Sequence, residues 1–163
     1  MCIWLVRVLI VTPISTGQII SPEVCHGVAL IGAPWLIVSS PPAFPGYERE
    51  MSINHSRALL HAEAVKHLEG VGYVLLLDSD VVLQSVDAIA KLKTALDSGL
   101  IAACAKTKDS DHVLGACALV RADFYLHHLG PTDRPFECQC RRLARFGNTA
   151  YTPGVEAHEI PRE

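Results

Sequence analysis

Several things are scarce in this chain, and each scarcity removes a class of function. There is no excess of basic charge: 14 Lys and Arg stand against 17 Asp and Glu, for a net charge of -3. The basic clusters, such as Arg141, Arg142 and Arg145, are short, so the electrostatic footprint of a nucleic-acid-binding protein is missing and no nucleic-acid partner is expected. No apolar run is long enough to cross a bilayer. The longest early stretch, Ile3 to Val11, is broken by Arg7, and no small-residue cleavage site accompanies it; it reads as a first strand, not a signal peptide, and no transmembrane segment is expected. Six cysteines, at 2, 25, 104, 117, 138 and 140, lack the spacing of a disulfide scaffold. Most lie inside apolar segments, which points to reduced thiols and a cytoplasmic protein. Cys138 and Cys140 flank a single residue and with His158 make a candidate zinc set, although the usual two-residue spacing is absent. No internal repeat or low-complexity tract is visible.

What is present is a globular composition, with half the residues hydrophobic and 19% charged over 163 residues. That length suits one compact domain, 1–163, with one good core. Strand and helix patterns alternate along it. Trp4 to Val11 reads as a strand closed by Thr12-Pro13. Ser21-Pro22-Glu23 has the cap, first-position proline and first-turn acid of a helix start, and the helix should end near Gly32. Trp35 to Val38 is a second strand, followed by a Pro-rich loop from Ser40 to Gly46. From Met51 to Leu68, Ala58, Ala62, Val65 and Leu68 recur at helical spacing. After a strand beginning at Tyr73, Ser85 caps a helix that buries Val86, Ile89, Leu92 and Leu96 and stops before Gly99. Leu100 to Cys104 and Ala116 to Val120 are further strands, separated by a polar loop from Lys106 to His112. Helices are expected at Ala122 to Leu129 and Phe136 to Phe146, and a last short strand at Thr149 to Thr152. The alternation predicts an α/β fold: a single three-layer α/β/α domain with a mostly parallel sheet.

The most informative stretch is Tyr73 to Asp80, Y-V-L-L-L-D-S-D. Its apolar run suits a strand buried on both faces, and ligands collect beyond the carboxyl ends of such strands. If extended backbone persists through Ser79, the period of two sends Asp78 and Asp80 to one side. Two hard oxygen ligands then face one point, an arrangement suited to Mg²⁺ or Mn²⁺ held together with substrate phosphates. A plain acidic turn would explain the composition but not the five apolar residues that deliver it.

The N-terminal strand ending in Thr-Pro, the Arg-bearing helix before the third strand, the L-L-D-S-D-V run and the later G-A-C-A-L-V-R strand (Gly115 to Arg121) together resemble the nucleotide-diphospho-sugar glycosyltransferases of the GT-A fold, most of all the family-2 type. The resemblance covers nearly the whole chain and centres on Asp78-Ser79-Asp80, similar to the D-x-D of that fold. It implies that Asp78 and Asp80 bind a divalent cation bridging the donor diphosphate, with Asp78 also touching the ribose. It further implies that Thr12 and Pro13 lie against the nucleotide base and that Arg57 is the helix arginine, followed here by Ala58 where Asn is common. Phe136 to Gly147 resembles the segment that supplies the family's acidic pair; Glu137 stands one residue out of register with it, and Asp133 is the second choice. Val155-Glu156-Ala157-His158 resembles the late histidine that completes the metal site in several members.

The expected reaction is therefore transfer of a sugar from a nucleotide-diphosphate sugar donor to an acceptor of unknown kind (a glycan, a protein or a small molecule). Mn²⁺ or Mg²⁺ is the expected cofactor. Metal at Asp78, Asp80 and His158 neutralises the leaving group, Ser79 belongs to the donor site, and Glu137 or Asp133 takes the acceptor proton. A carboxylate opposite the leaving group produces inversion, with retention left open. Two other readings stand beside this one: a Mg²⁺-dependent phosphatase of the haloacid dehalogenase type, which also carries D-x-D at a strand end, and a nucleotide-sugar-binding module without turnover, suggested by the short stretch beyond His158. His55, His61 and His67 read as surface or half-buried side chains, and Arg141, Arg142 and Arg145 as a solvated helix face.

Overall fold

A computed structural model describes residues 7–40, 49–84, 87–107 and 116–160. In chain order the elements are β1 (Arg7–Ser15), α1 (Pro22–Ile31), β2 (Trp35–Ser40), α2 (Arg49–Ala64), β3 (Val71–Leu77), β4 (Val81–Leu83), α3 (Ala88–Asp97), β5 (Ala102–Thr107), β6 (Cys117–Arg121), α4 (Ala122–His128), α5 (Gln139–Ala144) and β7 (Thr149–Glu159), with a 3-10 turn at Val65–His67. The start of α1 follows its sequence signals closely. Ser21 Oγ accepts from the Val24 amide at 3.3 Å, Pro22 opens the helix, and Gly32 closes it in the left-handed region (φ 70°), its N–H reaching the Val28 and Ala29 carbonyls.

The sheet departs from the expectation of mostly parallel pairing. Its order is β2-β1-β3-β6-β5-β7-β4. β1 runs parallel to β2 and β3, and β5 to β7, whereas β6 is antiparallel to both β3 and β5, and β4 to β7. The cause is visible in the connections. A parallel neighbour needs a crossover of roughly a dozen residues or more, usually helical, and the link 108–116 between β5 and β6 is shorter than that, so β6 returns antiparallel.

The sheet is also curled. In a flat sheet, β3 and β4, third and seventh in the order, would lie about 19 Å apart at a strand spacing of ~4.8 Å. Yet they are joined by the turn 78–80, in which the Val81 amide donates to the Asp78 carbonyl at 3.3 Å. The long β7 makes the bend. Its pairing with β5 jumps from Cys104↔Tyr151 to Lys106↔Glu156, so residues 152–155 bulge out with Gly154 at φ 78° before the strand resumes beside β4. The expected strand at Thr149 to Thr152 is thus only the first part of a longer one, and Pro153-Gly154 is a bulge in it rather than its end.

Side-chain alternation on the central strands builds two cores. Leu75 and Leu77 of β3 face Ile10, Val24, Leu92, Leu96 and Leu119, on the side of α1 and α3. Val74 and Leu76 face Leu9, Val11, Leu60, Ala118, Tyr125 and Leu143, on the side of α2, α4 and α5. The three-layer expectation and the two-sided burial of β3 both hold.

Helix α2 buries a different face from the one expected. Asn54, Leu60, His61 and Ala64 point inward, while Ala62 and Val65 are exposed. Helical register is lost in the 3-10 turn that begins at Val65, ahead of Leu68. In addition, His61 is a buried polar residue with partners of its own, donating from Nε2 to the Tyr125 carbonyl at 3.0 Å and the Leu126 carbonyl at 3.2 Å. Apolar periodicity cannot register a histidine that is buried because it is satisfied. Helix α5 is shorter than Phe136 to Phe146, and β4 answers to no sequence signal. The Pro-rich loop beyond Ser40, the Ser85 cap with Val86, Gly115, and the polar loop beyond Thr107 lie outside the described residues.

Candidate functional site at the carboxyl edge of the sheet

β3 ends at Leu77, and Asp78-Ser79-Asp80 forms a turn rather than a continued strand. The period-two argument for the two carboxylates therefore does not apply: turn geometry sets their directions. The turn is tied down on three sides. The Asp78 amide donates to the Ala116 carbonyl at 2.9 Å, the Val81 amide closes onto Asp78, and the Ile160 amide donates to the Asp80 carbonyl at 2.7 Å. Asp78 and Asp80 are half-buried and Ser79 is buried. Ser79 Oγ accepts from Nε2 of Gln18 in the loop after β1, which locks two neighbouring strand ends together. The Asp78 carboxylate also helps push up the buried Cys117 thiol, after burial itself and Cys104.

Around this turn runs a polar rim that the sequence reading did not identify. Thr16 Oγ1 donates to the Ser40 carbonyl at 2.6 Å, and Ser40 Oγ meets Ser56 Oγ of α2 at 2.6 Å. The first turns of α2 thereby sit at the carboxyl ends of β1 and β2, on the same edge as the aspartates. The available signals were Thr16-Gly17-Gln18 after β1 and Ser39-Ser40 after β2, short polar runs at strand ends. Thr12 is fully buried, and its Oγ1 accepts from the Trp35 indole at 2.9 Å; Pro13 is half-buried on β1. The Thr12 hydroxyl thus braces β1 against β2.

A second cluster forms where α2 meets the segment before α5. Arg57 Nη1 donates to Asn54 Oδ1 at 3.3 Å, and Asn54 Nδ2 donates to the Pro135 and Glu137 carbonyls at 2.6 and 3.0 Å. Arg57 and Glu137, proposed from distant parts of the sequence, are joined through this one buried asparagine. The Glu137 side chain, 11% exposed, is gripped by Arg145, whose Nε and Nη2 donate to Oε1 at 3.0 and 2.8 Å, while Arg134 approaches Oε2 at 3.6 Å. A carboxylate offers about four lone-pair directions, so Oε2 keeps acceptor capacity for a substrate hydroxyl. Asp133 is exposed on the same segment. Arg142 is buried, contrary to the expected solvated face: its Nη2 donates to the His128 and Gly130 carbonyls at 2.8 and 2.6 Å, and burial, with Arg145 nearby, lowers its pKa.

Mg²⁺ and Mn²⁺ bind through one or two carboxylates and take their remaining ligands from phosphate and water; at this strand end Asp78 and Asp80 are the side chains that would supply them. Among the described residues no three His, Cys, Asp or Glu side chains group as a metal site. His158 is exposed on β7, paired in register with Val82, two residues past Asp80. It does not join the aspartates in such a group, and neither does it join Cys138 and Cys140. No helix among the described residues is long and apolar enough to cross a membrane.

No family model matches the chain, and no curated protein sequence matches it. Solved structures do. A197 from STIV aligns with TM-score 0.65 at 13% identity, over 96% of this chain and 86% of that one. The catalytic domain of Drosophila beta1,4-galactosyltransferase 7, solved with xylobiose, aligns with TM-score 0.61 at 13% identity, over 96% of this chain and 72% of that one. The mixed, curled sheet with helices on both faces is thus a glycosyltransferase-like α/β fold.

Proposed function

We propose that the chain transfers a sugar from a nucleotide-diphosphate donor to an acceptor hydroxyl on a glycan, protein or small molecule. The observation that carries this reading is the aspartate turn, delivered by a strand buried on both faces to the carboxyl edge of a glycosyltransferase-like fold. Asp78 and Asp80 would hold Mn²⁺ or Mg²⁺, which when bound neutralises charge on the departing diphosphate. Ser79, fixed by Gln18, holds the turn to the β1 loop, and Pro13, on the strand that the buried Thr12 braces against β2, forms the nucleoside side of the cleft. Arg57 supplies positive charge for the donor phosphates. Glu137 accepts the acceptor proton, with Asp133 as the other candidate, and attack opposite the leaving group gives inversion. His158, exposed on β7 opposite Val82, would be the further candidate ligand. The reading belongs in a reducing, cytoplasmic setting, in which buried thiols such as Cys104 and Cys117 stay reduced.

Calorimetry with nucleoside diphosphates and their sugars tests it. The two carboxylates and the diphosphate repel one another without a cation between them, so binding is expected in Mn²⁺ and lost in EDTA. Ligand at 100 times its dissociation constant adds about 2.7 kcal/mol of stability, readily seen as a melting shift. Equal affinity in the two buffers overturns the metal-bridge reading. A second reading, donor binding without turnover, draws support from the guanidinium grip on Glu137; metal-dependent binding with no sugar transfer to any acceptor class would favour it.

A further inference from the structure

The proposed transfer uses none of the thiols, and two of them, Cys138 and Cys140, lie side by side. Cys138 is the N-cap of α5, with extended backbone at φ -69° and ψ 157°. A capping side chain aims at the backbone of the first helical turn. Here the cap is a thiol that makes no such bond, and the second helical residue is Cys140. Cap geometry therefore lays sulfur on sulfur, with Sγ to Sγ at 2.9 Å and both side chains half-buried. A disulfide needs about 2.05 Å, a short closing movement of two side chains.

The other described thiols lack one half of this combination. Cys25 is exposed but has no thiol neighbour among the described residues, and Cys104 and Cys117 are fully buried. Burial pushes the Cys104 thiol up to about 12 and that of Cys117 higher still.

We propose that Cys138 and Cys140 form a redox-responsive dithiol that closes to an intramolecular disulfide by exchange with a small disulfide such as oxidised glutathione. The inference is independent of the proposed sugar transfer. Cys138, the N-cap residue outside the helix, is the attacking thiol. Its thiolate attacks one glutathione sulfur, the external S–S bond breaks, and one glutathione leaves as thiolate. Cys140 then loses its proton and attacks the Cys138 sulfur, expelling the second glutathione. Two cysteine thiols are oxidised to one disulfide, one external disulfide is reduced to two thiols, and two electrons and two protons pass to glutathione.

The test uses the native, full-length protein incubated with oxidised glutathione, quenched with an alkylating reagent and mapped by peptide mass. The peptide carrying both cysteines is expected to lose two hydrogens, to take up no alkyl group, and to regain both thiols after reduction. Cys140→Ser is expected to stop at a glutathione adduct on Cys138. The proposal is overturned if wild-type Cys138 and Cys140 stay alkylatable, if they keep a glutathione adduct without ring closure, or if Cys140 bridges to Cys104 instead.

Discussion

The aspartate turn and the Glu137 cluster lie on the same edge of the sheet but are built in opposite ways. The turn is a contiguous motif on a rigid strand: its position follows from the burial of Tyr73 to Leu77, and backbone hydrogen bonds from three segments hold it. The cluster is assembled by side chains from places far apart in sequence, Asn54 and Arg57 on α2 with Arg134, Glu137 and Arg145 around α5. Backbone-held geometry tolerates side-chain substitution with little movement. Side-chain-held geometry depends on every member, so mutations should separate the two regions by what they damage.

The largest effect belongs to the turn. Asp80→Asn keeps the shape and removes the charge, so the fold should stand while metal-dependent donor binding falls by more than the roughly 10- to 100-fold that loss of an outer-shell partner costs. The same change at Asp123, exposed at the start of α4, should leave binding untouched. If calorimetry finds Asp80→Asn equal to wild type, the turn is merely an acidic corner and the comparison between the two regions collapses.

Next comes Glu137→Gln, which should leave donor binding intact and lower turnover by ~10²-fold or more, the scale of general-base catalysis. Asp133→Asn should do little. A reversed pattern moves the base to Asp133. Loss of donor binding in Glu137→Gln would instead show that the arginine grip supports the donor side, merging the two regions into one.

Asn54→Ala sharpens the contrast through stability. It strips two carbonyls of a buried donor, at about 1–3 kcal/mol. For a chain of this length that lowers the melting temperature by roughly 2–12 °C. Turnover should fall with it, because the Glu137 segment loses its tie to α2, while metal-dependent donor binding survives. Unchanged melting would mean that Arg145 alone holds Glu137.

The same division explains what could be read from the chain. The Ser21-Pro22 cap, the Gly32 stop and the β3 strand are local patterns with local physical causes, and they appear where the sequence places them. The antiparallel β6 was implicit in the short 108–116 link but was hidden by the general α/β alternation. The inward face of α2 was unreadable from hydropathy because two of its buried residues, Asn54 and His61, are polar and satisfied by carbonyls more than sixty positions away. Arg142 misled for the same reason: a guanidinium that feeds the His128 and Gly130 carbonyls looks in sequence like one more solvated charge.

The smallest predicted effect concerns His158. Deleting the tail after Gly154 cannot isolate it, because Val155 and Ala157 are in the core and β7 carries the partners of β4. Only a point substitution asks the question. His158 is exposed on β7, so His158→Ala should leave melting unchanged within the ±0.5 kcal/mol typical of surface positions. Imidazole is softer than carboxylate oxygen and suits Mn²⁺ better than Mg²⁺. If the side chain reaches the metal once donor phosphates gather it to the turn, the substitution should weaken donor binding a few-fold in Mn²⁺ and hardly at all in Mg²⁺. The ratio of the two affinities is the deciding measurement. A ratio equal to that of wild type makes His158 an ordinary strand residue, leaving the aspartate turn as the whole of the protein's contribution to the metal.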